Sequence, residues 1–176
     1  RLLLHLCAIY ERDALAQSDA VCSALQLINF WQDLSIDLPR GRCYVTQADA
    51  RRHGLEPAAP GHDSDASRAL VRELCAWARE LMQQGTPLVH RLPGRFGWEL
   101  RLVVQGGLRV LDKIESNGFN VLSRRPTVGA GDARGRGVAL QFLEQRPVGV
   151  TPNQAIAGLD DLAEHRLGGH ELAAHA

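Results

Sequence analysis

Between residues 21 and 37, Gln26, Asn29, Asp33 and Asp37 recur at intervals of three and four, and this spacing constrains the fold more than any other feature of the chain. Residues so spaced share one face of a helix. Val21, Ala24, Leu25, Ile28 and Trp31 keep the same period and form an apolar stripe beside the polar one. A strand would divide both sets between its two faces, so the pattern predicts an amphipathic helix. Ser18 and Asp19 supply an N-cap and a favourable first-turn charge, while Leu38 precedes Pro39, a position that disfavours helix. The expected helix runs from about Asp19 to about Asp37, with a loop over 11–17 before it. Asp37 then falls near the helix C-terminus, where the dipole disfavours an anion by roughly 0.3 to 1 kcal/mol. Arg40, Arg42 or a bound metal are the candidates for compensating it.

A solvated helix face is the ordinary role of such a stripe. Three features weigh against it here. Lys and Arg are absent from the run until Arg40, and Phe30 and Trp31 embed it in apolar surroundings. Unpaired acids are costly in such surroundings. Two carboxylates one turn apart also suit Mg²⁺, which takes one or two carboxylates and completes its shell with water and substrate phosphates.

The pattern Gln-x-x-Asn-x-x-x-Asp-x-x-x-Asp, followed by Arg40-Gly41-Arg42-Cys43-Tyr44, resembles the second aspartate-rich motif of the squalene and phytoene synthase family. Within it, the runs from Leu27 to Leu34 and from Trp98 to Glu115 are most similar to the hopanoid-pathway branch of hydroxysqualene synthases called HpnC. The resemblance covers about residues 1 to 127 and implies an all-α isoprenoid synthase fold, of which the chain is a C-terminal part. In that fold two aspartate-rich motifs face each other across an apolar cavity. By motif position the resemblance implies that Asp33 and Asp37 are Mg²⁺ ligands, and that Gln26 and Asn29 support the metal or the diphosphate. It further implies that Arg42 contacts diphosphate and that Tyr44 closes the site as a catalytic group.

The implied substrate is an isoprenoid diphosphate: presqualene diphosphate, converted to hydroxysqualene with release of diphosphate. The alternative is head-to-head condensation of two farnesyl diphosphates to presqualene diphosphate or squalene. Both reactions pass through a carbocation, which Phe30 and Trp31 are candidates to shield, with core packing as their ordinary role. Two positions depart from the family pattern: Gln32 where many relatives carry arginine, so that one phosphate contact is absent or moved, and Gly107 where many phytoene-type relatives carry tyrosine. No first aspartate-rich motif occurs in the chain, since Asp13 and Asp19 are wrongly spaced and Asp160 and Asp161 lie in an unrelated tail. A third reading follows: a fragment, opening without methionine, that serves as a helical interaction module without catalysis.

Twenty basic and twenty acidic residues cancel, which removes the electrostatic basis for general nucleic-acid binding. A chain of 176 residues with 45% hydrophobic content can bury a core of its own. Cys7, Cys22, Cys43 and Cys75 are widely spaced and read as free thiols of a reducing, cytoplasmic compartment. Cys22 lies one turn before Gln26, and a packed thiol is its ordinary role. No apolar run approaches the ~20 residues of a membrane span, so any membrane contact is expected to be peripheral.

Elsewhere, Leu2, Leu3, Leu6 and Ile9 suggest a packed helix within 1–12, and residues 47–53 one or two turns that Gly54 stops. Ser64 to Ser67 offer N-caps for a helix whose stripe is Leu70, Leu74, Trp77, Leu81 and Val89. A turn at 92–97 leads to a helix over 98–116 that presents Leu100, Val103, Val104, Leu108, Leu111 and Ile114. Gly106 and Gly107 each cost about 1 kcal/mol against alanine there, which calls for close helix packing or room for a bulky apolar ligand. With no strand alternation, the fold class is all-α. Residues 128–176 form a separate region: a flexible linker from Gly129 to Gly137, then a tail whose His165, His170 and His175 lie five apart, off any common helix face.

Overall fold

The computed structural model describes residues 1–56 and 62–127, and the linker, tail and histidine readings lie outside them. Six α-helices carry the described chain: α1 (Leu2–Leu6), α2 (Arg12–Gln32), α3 (Leu34–Asp37), α4 (Gln47–Arg52), α5 (Asp65–Gly85) and α6 (Gly94–Ser116). Short 3₁₀ turns follow α3 and α5, at Leu38–Arg40 and Thr86–His90, and no strand occurs among the described residues. The fold is all-α, as the sequence predicts.

α2 lies against α5 along most of its length and also against α6. Their apolar stripes meet in one core, where Val21, Ala24, Ile28 and Trp31 face Leu70, Leu74, Trp77 and Ala78, with Val104, Leu111 and Ile114 closing it from α6. Backbones approach closely where side chains vanish. A Cβ on Gly85 would stand 2.4 Å from Val21 Cγ2 and 2.7 Å from the Gln17 carbonyl oxygen. At Gly107 it would meet only side-chain ends, Met82 Cε at 2.9 Å and Leu25 Cδ2 at 3.1 Å, so the space beside that glycine is filled by core side chains and not by another backbone.

The start of α5 follows its sequence signal. Ser64 Oγ accepts the Ser67 N–H at 3.1 Å and Ser67 Oγ accepts the Ser64 N–H at 2.7 Å, a reciprocal cap worth on the order of 1 kcal/mol. α4 ends at Arg52, and Gly54 just beyond it takes a φ of +68°.

Three expectations are corrected. α2 begins at Arg12 rather than near Asp19, and no loop occupies 11–17. Leu4, Ala14, Leu88 and Leu92 form a second, smaller core that extends the buried face of α2 by two turns. Ser18 is consequently a buried helix residue, and Asp19 pairs with Arg1, whose guanidinium holds its carboxyl below the ordinary value. In α1 the buried residue is Leu4, while Leu2 and Leu6 occupy the opposite, exposed face. Finally, α6 starts at Gly94, four residues earlier than expected, and Trp98 is exposed on it.

Candidate functional site

The polar stripe ends at a helix break. Asp33 leaves α2 with φ −97° and ψ 7°, and α3 resumes at Leu34. The Asp37 N–H still bonds the Asp33 carbonyl at 2.8 Å, so the two carboxylates remain one turn apart across the break. The single helix expected through Asp37 is therefore two, with the first implied ligand at the joint.

Asp37 is buried, at 7% exposure, and its Oδ1 has no hydrogen-bond partner among the described residues. Arg42 Nη1 stands 3.6 Å from that oxygen, beyond hydrogen-bonding reach but close enough to offset its charge. Gly41, at φ +72°, turns the chain back so that the Arg42 N–H bonds the Asp37 carbonyl at 3.0 Å. Of the proposed cations, Arg42 is the one at Asp37.

Asp33 is served from a distant segment. Its Oδ1 accepts a bond from Arg125 Nε at 2.5 Å, while its Oδ2 is left without a partner among the described residues. Arg125 is held in place by its neighbour, since buried Gln32 donates Nε2–H to the Pro126 carbonyl at 2.8 Å. Gln32 stands where the resemblance leads one to expect an arginine, yet a guanidinium reaches the adjacent carboxylate from residue 125. Arg125 lies in no motif that the sequence singles out. The available signal was the lack of any basic residue in the last turn of α2, just before two carboxylates.

Gln26 and Asn29 are half-buried on α2, and no hydrogen bond fixes either amide among the described residues. Tyr44 stacks on Phe30, with centroids 3.9 Å apart and planes within 8°. Trp31, at 1% exposure, is core. Of the two aromatic candidates, Phe30 is thus the one joined to a site residue. A cleft of about 250 Å³, lined by Lys113, Arg124 and Arg125 with Ser116 and Asn117, opens beside this end of the molecule.

The donors fit half of a Mg²⁺ site. The carboxylates offer oxygens, as a hard cation requires, and Asp37 Oδ1 is a buried acceptor without a hydrogen-bond donor. No group of three or more His, Cys, Asp or Glu able to hold a metal forms among the described residues. Two carboxylates need further oxygens from substrate and water. The thiols lie outside this set: burial pushes Cys75 up to about 12 and raises Cys43, while Cys22 is exposed on α2.

Residues 1–132 match the family described as squalene/phytoene synthase. The chain belongs to that family. Its members build isoprenoids from prenyl diphosphates, and the fold seen here is its all-α fold. Among curated relatives, the phytoene synthase of Thermus thermophilus is 32% identical over 117 residues, covering 65% of this chain and 40% of that protein. Phytoene synthase 2, chloroplastic, of Solanum lycopersicum is 29% identical over 60% of this chain and 34% of its own. The chloroplastic phytoene synthase of Narcissus pseudonarcissus is 27% identical over 66% of the chain and 30% of its own. The chain therefore spans well under half the length of these relatives. No solved structure matches it.

Proposed function

We propose that this chain supplies one side of a Mg²⁺-dependent site that removes diphosphate from an isoprenoid, with presqualene diphosphate as substrate and hydroxysqualene as product. The observation that carries the reading is the pair of carboxylates one turn apart, each with an open oxygen and each beside an arginine. Asp33 and Asp37 hold the metal, and Gln26, Asn29 and Arg42 bind phosphate oxygens. When bound, Mg²⁺ supplies the charge that stabilises the departing diphosphate. The C–O bond breaks with its electron pair leaving on diphosphate; water adds to the resulting cation and gives up a proton. Tyr44, braced flat on Phe30, closes the site and limits which water reaches that cation.

Incubating the full-length protein with presqualene diphosphate and Mg²⁺, without NADPH, is expected to give hydroxysqualene and diphosphate. No hydroxysqualene would sink the presqualene reading. A second reading, head-to-head condensation of two prenyl diphosphates, is favoured by relatives that are named phytoene synthases. Farnesyl diphosphate in the same assay separates the two, since only the condensing enzyme joins it to itself. Absence of any Mg²⁺-dependent diphosphate binding by calorimetry would leave a helical module instead. No helix among the described residues is long and apolar enough to cross a membrane. We place the enzyme in the cytoplasm, touching membrane only peripherally to deliver an apolar product.

A further inference from the structure

The segment after α6 is anchored more heavily than a simple connection requires. The Asp63 carboxylate accepts the N–H groups of Leu122 at 3.1 Å and Ser123 at 3.0 Å. The Arg72 guanidinium lies 5.0 Å over the Phe119 ring, and Arg68 Nη1 reaches Asn120 at 3.3 Å. Gln32 then fixes the Pro126 carbonyl from the last residue of α2. These contacts converge on one result: the Arg125 guanidinium meets Asp33 across 92 positions of sequence.

The meeting has an electrostatic logic. The C-terminal end of α2 carries the negative pole of the helix dipole, and Asp33 and Asp37 add two carboxylates. No basic residue lies in its last turn. A cation from outside the helix both offsets that charge and restricts the Asp33 side chain. Arg125 bonds only Oδ1, so Oδ2 stays available. A carboxylate held in this way loses less conformational freedom when it takes up a metal.

We propose that Arg125 is a positioning residue for Asp33, set in place by the buried Gln32 side chain, and that it prepares Asp33 Oδ2 for the metal. This rests on the reading of Asp33 as a Mg²⁺ ligand. Gln32 is accordingly part of the site's support, acting through the Pro126 carbonyl and not through substrate.

The test is calorimetric titration of inorganic diphosphate into the full-length protein at graded Mg²⁺, with thermal unfolding of each variant. Arg125→Ala is expected to raise the Mg²⁺ concentration for half-maximal diphosphate binding about tenfold or more. Arg125→Lys is expected to recover part of that loss, because a point charge replaces a guanidinium. Gln32→Ala should shift the curve in the same direction by less. Asp63→Ala, which loosens the same segment but keeps the Arg125 guanidinium and its Gln32 anchor, serves as the folding control and is expected to shift the curve by less than Arg125→Ala. The inference is overturned if Arg125→Ala leaves the Mg²⁺ requirement unchanged or lowers it, or if Asp63→Ala reproduces its full shift at equal loss of thermal stability. If the unmodified protein shows no Mg²⁺-dependent diphosphate binding, the proposed function falls and this inference with it; binding intact in the unmodified protein and in Arg125→Ala alike removes the inference alone.

Discussion

The α5–α6 core and the C-terminal end of α2 are built by different means. In the core, Leu74, Ala78, Leu111 and Ile114 hold position by apolar contact between regular helices. At the end of α2 the helix breaks, and the side chains are held by single polar contacts, such as Arg125 to Asp33 and Gln32 to Pro126. Apolar packing is distributed over many neighbours, whereas each polar contact is made once. Stability and binding should accordingly separate when the two regions are cut independently.

Leu111→Ala gives the largest expected effect on stability. Leu111 is fully buried, and its truncation should cost about 2 to 5 kcal/mol by denaturant unfolding, with the Mg²⁺ requirement for diphosphate binding unaltered in the folded fraction. Asp37→Asn should do the reverse. It removes the charge of a buried oxygen that accepts no hydrogen bond and is expected to weaken Mg²⁺-dependent diphosphate binding at least tenfold by calorimetry, with little loss of unfolding free energy because the Arg42 contact is already long, at 3.6 Å. A large stability loss in that variant would mean that the carboxylate serves the fold instead.

Cys75 probes the core through pH. Its thiol is raised to about 12 by burial, so the folded state keeps a proton that the unfolded chain releases from about pH 9. Stability from this group is complete below that pH and falls at up to about 1.4 kcal/mol per unit as pH rises towards 12. Cys75→Ala should flatten that slope in unfolding curves measured over the same range. Ser64→Ala is the smallest of the set, costing about 1 kcal/mol by loss of the α5 cap and leaving the end of α2 untouched.

The same contrast governs what could be read from sequence. α5 was legible at both levels, since Ser64 and Ser67 announce its cap and Leu70, Leu74 and Trp77 repeat with the helix. The early start of α2 was not. Its first two turns bury Ala14 against Leu88 and Leu92, far along the chain, and bury Ser18 as well, and both residues carry little hydrophobic signal. The one-turn spacing of Asp33 and Asp37 is legible in the sequence and survives the break because the Asp37 N–H still bonds the Asp33 carbonyl. The break itself left no residue signature, because no glycine or proline marks position 33. Arg125 was invisible to local pattern, as its partner precedes it by most of the described chain.

The grip of Asp63 on two successive backbone N–H groups has a practical outcome. It anchors the chain just before Arg124 and Arg125, so Thr127 emerges at a defined point on the rim of the basic cleft. An environment-sensitive dye on a Thr127→Cys variant, with Cys22 replaced to avoid competing label, would sit on a fixed mount two residues from Arg125. Its emission would then report occupancy of the α2 terminus directly, turning a backbone clasp into the base of an optical sensor.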